Sequence, residues 1–277
     1  MDPKIIYSLW TKPLKVNGGS MGFNSLDDFF QTFIFSVNVA KQHSNNIHFY
    51  TDDYGIKLLK PFKKYFPFTQ VHNILNEMDW LPLQWWAFPK LYVYSLQKEP
   101  FMHLDNDFYL WDKIPDEVVK NHDIICQSHE PINCDFFKFY LNGLNHFRNH
   151  LPKKMLDNHK YDQALNAGIY GAFNEKGLGM FYSMYEESLK SAKSILKDTD
   201  FINNVIKDKE FNNGIGFLWN VLLEQLYPYS YIIDNNLKDY TVLYNLNITH
   251  LISKHKQNQN YIDKVKLRVK LKKWTQK

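Results

Sequence analysis

Cysteine is scarce: the 277 residues contain two, Cys126 and Cys134. That excludes a disulfide-built scaffold, and their spacing matches no zinc pattern. Both read as free thiols in a reducing cytoplasm. Long apolar runs are missing as well. No stretch approaches the ~20 apolar residues of a membrane span. The opening MDPKIIYSLWTKP carries Asp2 and lacks the apolar core and cleavage site of a secretory leader. Glycine is sparse, at 11 residues, and its one cluster, KVNGGSMGFNS, has neither the Lys-Ser/Thr ending of a phosphate loop nor dinucleotide-binding spacing. A general excess of positive charge is also absent. The net +4 is concentrated at the end, where Asp263–Lys277 holds seven Lys/Arg against one Asp, leaving the remainder at −2. Nucleic-acid binding therefore has little support.

What is present is core-forming material: 44% hydrophobic residues and 17% aromatics. This composition is globular. The basic end, DKVKLRVKLKKWTQK, alternates basic and apolar residues and gives no clean amphipathic helix. It reads as a solvated final strand or a frayed terminus. The sharper alternative is contact with an anionic membrane surface or a polyanionic substrate. The expected division is one catalytic domain over residues 1–257 and a basic tail over 258–277.

Periodicity organises the rest. KIIYSLW, NIHFYTDD, FTQVHNIL and FMHLD read as strands. KVNGGSMGFNS reads as a loop. Leu26, Phe29, Phe30, Phe33, Ile34, Val37 and Ala40 recur at helical spacing, with Ser25 as N-cap and Asp27 and Asp28 in the first turn. Further helices are expected in IKLLKPFKKYF, broken at Pro61, and after Pro89. Strands alternating with helices predict an α/β fold with a mostly parallel central sheet flanked by helices. Such sheets bind ligands beyond the carboxyl ends of their strands. Asp52 and Asp53 end the second strand; Asp105 and Asp107 end the fourth.

Asp105 and Asp107 carry the main chemical signal. Acids at i and i+2 on an extended strand point to one side. Oxygen ligands so placed suit Mg²⁺ or Mn²⁺. Glu224 is a second signal. It stands alone among Phe217, Leu218, Val221, Leu222 and Leu226, and an acid in that setting needs a partner. Glu130 and His129 end another predicted strand, in CQSHEP. Trp85, Trp86 and Tyr170 read as core aromatics, with a sugar platform as the alternative.

These motifs together resemble GT-A glycosyltransferases, in particular the retaining galactosyltransferase and glycogenin group. The resemblance rests on HLDNDFYLW about 100 residues into the chain, NAGIYGAF at Asn166–Phe173, and THLISKHK near the end. It covers roughly residues 4–257. It implies a Rossmann-like GT-A fold and a metal held by Asp105, Asp107 and His250. It also implies that Lys256, six residues past the His, contacts the donor phosphates. The chain departs from the group at Ser253, where Gly is usual, and at Gln257 and Asn258, where Pro-Trp is usual. Lys90 stands where an Arg is common and is expected to pair with Asp105 or with phosphate. By the same resemblance Ser8, Trp10, Tyr7 and Asp52 flank the nucleobase and Asn106 reaches ribose or sugar hydroxyls. Glu224 and Gln225 lie near the anomeric carbon, with Asp162 and Gln163 as a second pair, and Glu130 and Asn166 serve the acceptor.

The implied activity is metal-dependent transfer of a sugar, from a uridine diphosphate sugar, to a glycan or glycoconjugate in surface-polysaccharide assembly. The setting is the cytoplasm, or the inner face of a membrane engaged through the basic tail. Two rivals remain. One is a non-catalytic sugar- or nucleotide-binding protein. The other is a D-x-D phosphohydrolase, which would carry its motif near the chain start and Thr or Val where Tyr109 stands.

Overall fold

β-Branched and aromatic residues in short buried runs make the strands, and apolar residues at helical spacing make the helices between them. The computed structural model describes residues 4–132, 138–156, 162–202 and 216–275. Its first half runs β1 (Lys4–Leu9), α1 (Lys12–Asn17), α2 (Leu26–Ala40), β2 (Ile47–Thr51), α3 (Asp53–Leu59), β3 (Gln70–Asn73), α4 (Phe88–Ser95), β4 (Phe101–Leu104) and β5 (Phe108–Leu110). Then follow α5 (Asp116–Asn121), β6 (Ile124–Pro131), α6 (Phe139–His146), β7 (Gln163–Ala172), α7 (Glu175–Lys197) and α8 (Thr199–Phe201). The chain ends with α9 (Gly216–Val221), α10 (Tyr227–Asn235), β8 (Asp239–Thr241), β9 (Ile248–His250) and α11 (Gln259–Thr275). The α/β class expected from the sequence is the class observed, with helices flanking mostly parallel strands.

Two compact units form. The first comprises Met1–Asp79, Met102–Pro115 and Asn245–Lys277; the second comprises Trp80–Phe101 and Asp116–Tyr244. In the first, the strand order is β3-β2-β1-β4, and β2 runs parallel to both β1 and β3. The order reverses between β1 and β4, which makes the carboxyl ends of those two strands a topological switch point, the usual ligand position in open α/β sheets. A small antiparallel pair, β5 with β9, adjoins it. In the second unit β6 runs antiparallel to β7 and parallel to β8.

The high aromatic content goes into the cores. In the first unit Phe33 of α2 packs on Tyr7, Phe49 and Phe66 at ring-centroid distances of 5.5, 5.6 and 4.9 Å. Ser25 caps α2 by accepting from the Asp28 amide, as its sequence position predicted. In the second unit Trp85 and Trp219 stack at 4.3 Å. Trp85 and Tyr170 are fully buried, so both are core residues, while Trp86 is exposed.

Two local expectations are corrected. Lys15–Asn17, expected as the start of a loop, instead end the helix Lys12–Asn17, whose first turn Pro13 favours. The basic tail is neither strand nor frayed end over Gln259–Thr275, but a helix. Ile262, Val265 and Val269 form a narrow buried stripe, Lys266 reaches Asp28 at 3.6 Å, and the Arg268 guanidinium lies 4.2 Å from the Trp111 ring centroid. Cys126 is a buried free thiol, as expected; Cys134 lies outside the described residues.

Candidate active site

The first unit builds a charged cluster at its switch point. The acids do not sit on an extended strand. β4 ends at Leu104, and Asp105–Asn106–Asp107 forms the tight turn into β5, closed by the Phe108 amide donating to the Asp105 carbonyl at 3.0 Å. The turn still aims both carboxylates together. Pairing of β5 with β9 sets Phe108 opposite His250 and so delivers the imidazole to the turn. His250 Nε2 lies 3.4 Å from Asp107 Oδ1 and 3.9 Å from Asp105 Oδ2. One ligand atom from each of Asp105, Asp107 and His250 falls within 4.8 Å of the other two. His250, far from a surface position, is largely buried against the Phe108 ring.

Lys256 completes the cluster. Its ammonium lies 2.6 Å from Asp107 Oδ2. Burial of Asp107 opposes ionisation, but Lys256 and then His250 outweigh it and hold the carboxyl well below its ordinary range. Lys256 lies within the 3₁₀ segment Ser253–Gln257 that follows β9 and passes close to Gly22, where an added Cβ would meet its side chain at 3.3 Å.

The neighbouring residues divide into engaged and waiting groups. Asn106 donates to the Ser8 carbonyl at 3.1 Å, while its own amide oxygen is buried without a hydrogen-bond partner. Trp10 is buried with an unpartnered indole N–H. Ser8 Oγ sits 2.9 Å from His103 Nε2. Tyr7 is a core residue whose phenol pairs with Ser36. Asp52 is occupied structurally: its carboxylate accepts from the Thr11 amide and hydroxyl and, as N-cap of α3, from the Gly55 amide.

The second unit gathers the other chemical residues. Glu224 lies in a π-helical turn, Leu222–Leu226, a local widening common at functional positions. It is not a helix-surface acid: its side chain is 1% exposed, and its partner is the Lys90 ammonium at 2.6 Å. Lys90 thus pairs with Glu224. Tyr170 donates to the Glu224 carbonyl at 2.9 Å. Beside this pair, Glu130 accepts from Asn166 at 2.7 Å and from the Tyr140 phenol at 2.9 Å, and Tyr140 also contacts Gln225. The Tyr140 hydroxyl thus faces both the Glu130 carboxylate and the Gln225 amide oxygen. Burial and then Glu130 push the Tyr140 phenol far above its ordinary range. Tyr140 carried no sequence signal beyond its aromatic character. Asp162 is exposed and accepts from Tyr229 at 3.2 Å. Gln163 faces His129, whose other nitrogen is 2.5 Å from Asp239.

An α/β unit with acids, an imidazole and a lysine at its switch point has the parts of an anion- or metal-binding site. Over residues 3–275 the chain matches the family described as "Family of unknown function (DUF6734)", and it belongs to that family. No curated protein matches it in sequence. Among solved structures it is similar to mouse xyloside xylosyltransferase 1 in its apo form, at 11% identity and TM-score 0.43, covering 87% of this chain and 85% of that one. It is similar also to the glycosyltransferase GlyE of Streptococcus pneumoniae TIGR4, at 10% identity and TM-score 0.44, covering 97% of this chain and 60% of that one. A third likeness is to the inositol-1-phosphate CTP transferase of T. maritima, at 10% identity and TM-score 0.41, covering 97% of this chain and 96% of that one.

Proposed function

We propose that the protein is a metal-dependent glycosyltransferase that moves a sugar from a nucleoside diphosphate sugar, a uridine diphosphate sugar in our reading, to a glycan or glycoconjugate. The observation that supports this most is the convergence of Asp105, Asp107 and His250 within 4.8 Å, with Lys256 on Asp107. The donor set fits a divalent cation. Two carboxylates suit Mg²⁺ or Mn²⁺, and the added imidazole favours Mn²⁺. The unpartnered Asn106 oxygen beside it is a ready acceptor for a ribose or sugar hydroxyl.

A nucleoside diphosphate leaves readily only if its growing charge is neutralised, and a bound divalent cation supplies part of that. The chain's own contribution is Lys256. Held against Asp107, it balances one carboxylate, and a phosphate oxygen offers it an alternative partner. Trp10, beside Ser8 at the end of β1, offers an aromatic face and an N–H for the nucleobase. In the second unit Glu224 is the candidate nucleophile or base, with its charge held by Lys90. Gln225, Glu130 and Asn166 form a polar network suited to sugar hydroxyls, and Asp162 is an exposed carboxylate for the acceptor. Retention of anomeric configuration and assembly of surface polysaccharide are parts of the same reading.

The test is calorimetric titration with nucleotide-sugars, with Mn²⁺ and then with chelator. Tight binding of one donor, lost with chelator and lost in Asp107→Ala, is expected. Binding that ignores chelator would favour a non-catalytic module. Donor affinity unchanged in Asp107→Ala would refute the metal assignment, and release of phosphate from a simple phosphomonoester would favour the hydrolase rival.

A further inference from the structure

The first unit carries an apolar cavity of about 350 Å³ between the segment after α3 and the edge strand β3, lined by Ile56, Leu59, Lys60, Lys63, Phe66, Phe68 and Val71. This volume is at the lower end of small-molecule sites, and such sites combine an apolar wall with a few placed polar groups. Here the polar groups are both cations, Lys60 and Lys63. At the mouth, apolar side chains face water: Ile56 is 37% and Val71 51% exposed, and neighbouring Tyr65 is 50% exposed. The surrounding sequence, Asp53–Phe66, contains Lys57, Lys60, Lys63 and Lys64 against a single acid, and all four lysines are exposed. An apolar slot flanked by the Lys60 and Lys63 ammonium groups complements a hydrocarbon chain ending in an anionic headgroup.

We infer that this groove is a docking site for an anionic lipid of a membrane leaflet, which seats one acyl chain against Leu59, Phe66 and Phe68 and its headgroup on Lys60 and Lys63. The site stands apart from the proposed transfer reaction and uses none of its residues. It is a surface separate from the basic C-terminal segment, where Lys266 and Arg268 lie against Asp28 and Trp111. The attraction combines burial of apolar surface with the potential of the leaflet, which is about 1 kcal/mol per basic residue near the surface. At tenfold per ~1.4 kcal/mol, each of Lys60→Ala and Lys63→Ala should weaken binding about fivefold.

The experiment is vesicle flotation of the full chain, with phosphatidylcholine alone and with added phosphatidylglycerol. The protein should float only with the anionic vesicles. The Lys60→Ala/Lys63→Ala variant should bind far more weakly. Ile56→Glu/Val71→Glu, whose changes fall at exposed positions and leave the fold intact by circular dichroism, should not float. Failure of the wild type to float overturns the inference. So does flotation of Ile56→Glu/Val71→Glu equal to wild type, since attraction would then be charge alone. Binding of soluble decyl phosphate without vesicle binding overturns the membrane source.

Discussion

Replacing Lys90 with methionine should cost far more stability than a surface substitution. Methionine keeps most of the apolar stem but removes the ammonium that lies 2.6 Å from Glu224. It leaves a carboxylate whose side chain is 1% exposed. Removing one member of a buried pair costs about 3–5 kcal/mol, because the other charge stays out of water. For a domain of this size, roughly 2–4 °C of melting temperature accompanies each kcal/mol, so a fall of roughly 6–20 °C is expected. Removing both charges, as in Lys90→Met/Glu224→Leu, should restore most of the loss, since buried pairs replaced by apolar residues are near neutral or better. Urea denaturation of wild type, both singles and the double gives the coupling directly. Tryptophan fluorescence is a suitable probe, because the Lys90 ammonium lies 5.8 Å from the Trp86 ring centroid. A Lys90→Met cost below about 1 kcal/mol, the range of exposed pairs, would refute the reasoning. So would a double variant as unstable as the sum of the singles.

Two further outcomes are expected. Gly55→Ala should destabilise by about 1–3 kcal/mol, the usual cost of overpacking, because a Cβ there would lie 1.9 Å from Thr51 Oγ1; a melting temperature equal to wild type would contradict it. The His129 pKa is raised, chiefly by its hydrogen bond to Asp239. The stability it contributes is present below the unfolded value of about 6.5 and is lost as pH rises through the higher folded value. Wild type should therefore lose stability over that interval relative to Asp239→Asn, and parallel pH profiles in thermal melts would exclude the linkage.

Strand and helix positions were legible where periodicity was strong and local. Ser25 with Asp28, the α2 stripe and the apolar run FMHL needed only neighbouring residues. The tail misled because Ile262, Val265 and Val269 form too narrow a stripe to stand out among lysines. The partners of Asp52 include Thr11, 41 residues away, which no local pattern shows. The partner Glu224 required was inferable as a need, but its identity was not, since Lys90 meets it only through the tertiary fold. The grouping of Asp105, Asp107 and His250 came from resemblance. The β5–β9 pairing that brings His250 to the turn is a long-range contact that no local pattern encodes.

The π-helical turn at Leu222–Leu226 has a consequence for how this chain tolerates change in length. A π turn holds one residue more than an α turn, and each α-helical residue advances the side-chain direction by about 100°, at 3.6 residues per turn. Deleting one residue within the turn would let it relax to regular α-helix. The flanking apolar faces would keep their phase, but the register of Glu224 and Gln225 would change by one position. A loss of a single codon could thus leave the scaffold standing while turning both polar side chains away from Lys90 and Tyr140. In this segment the spacing between residues, as much as their identity, is the quantity under constraint.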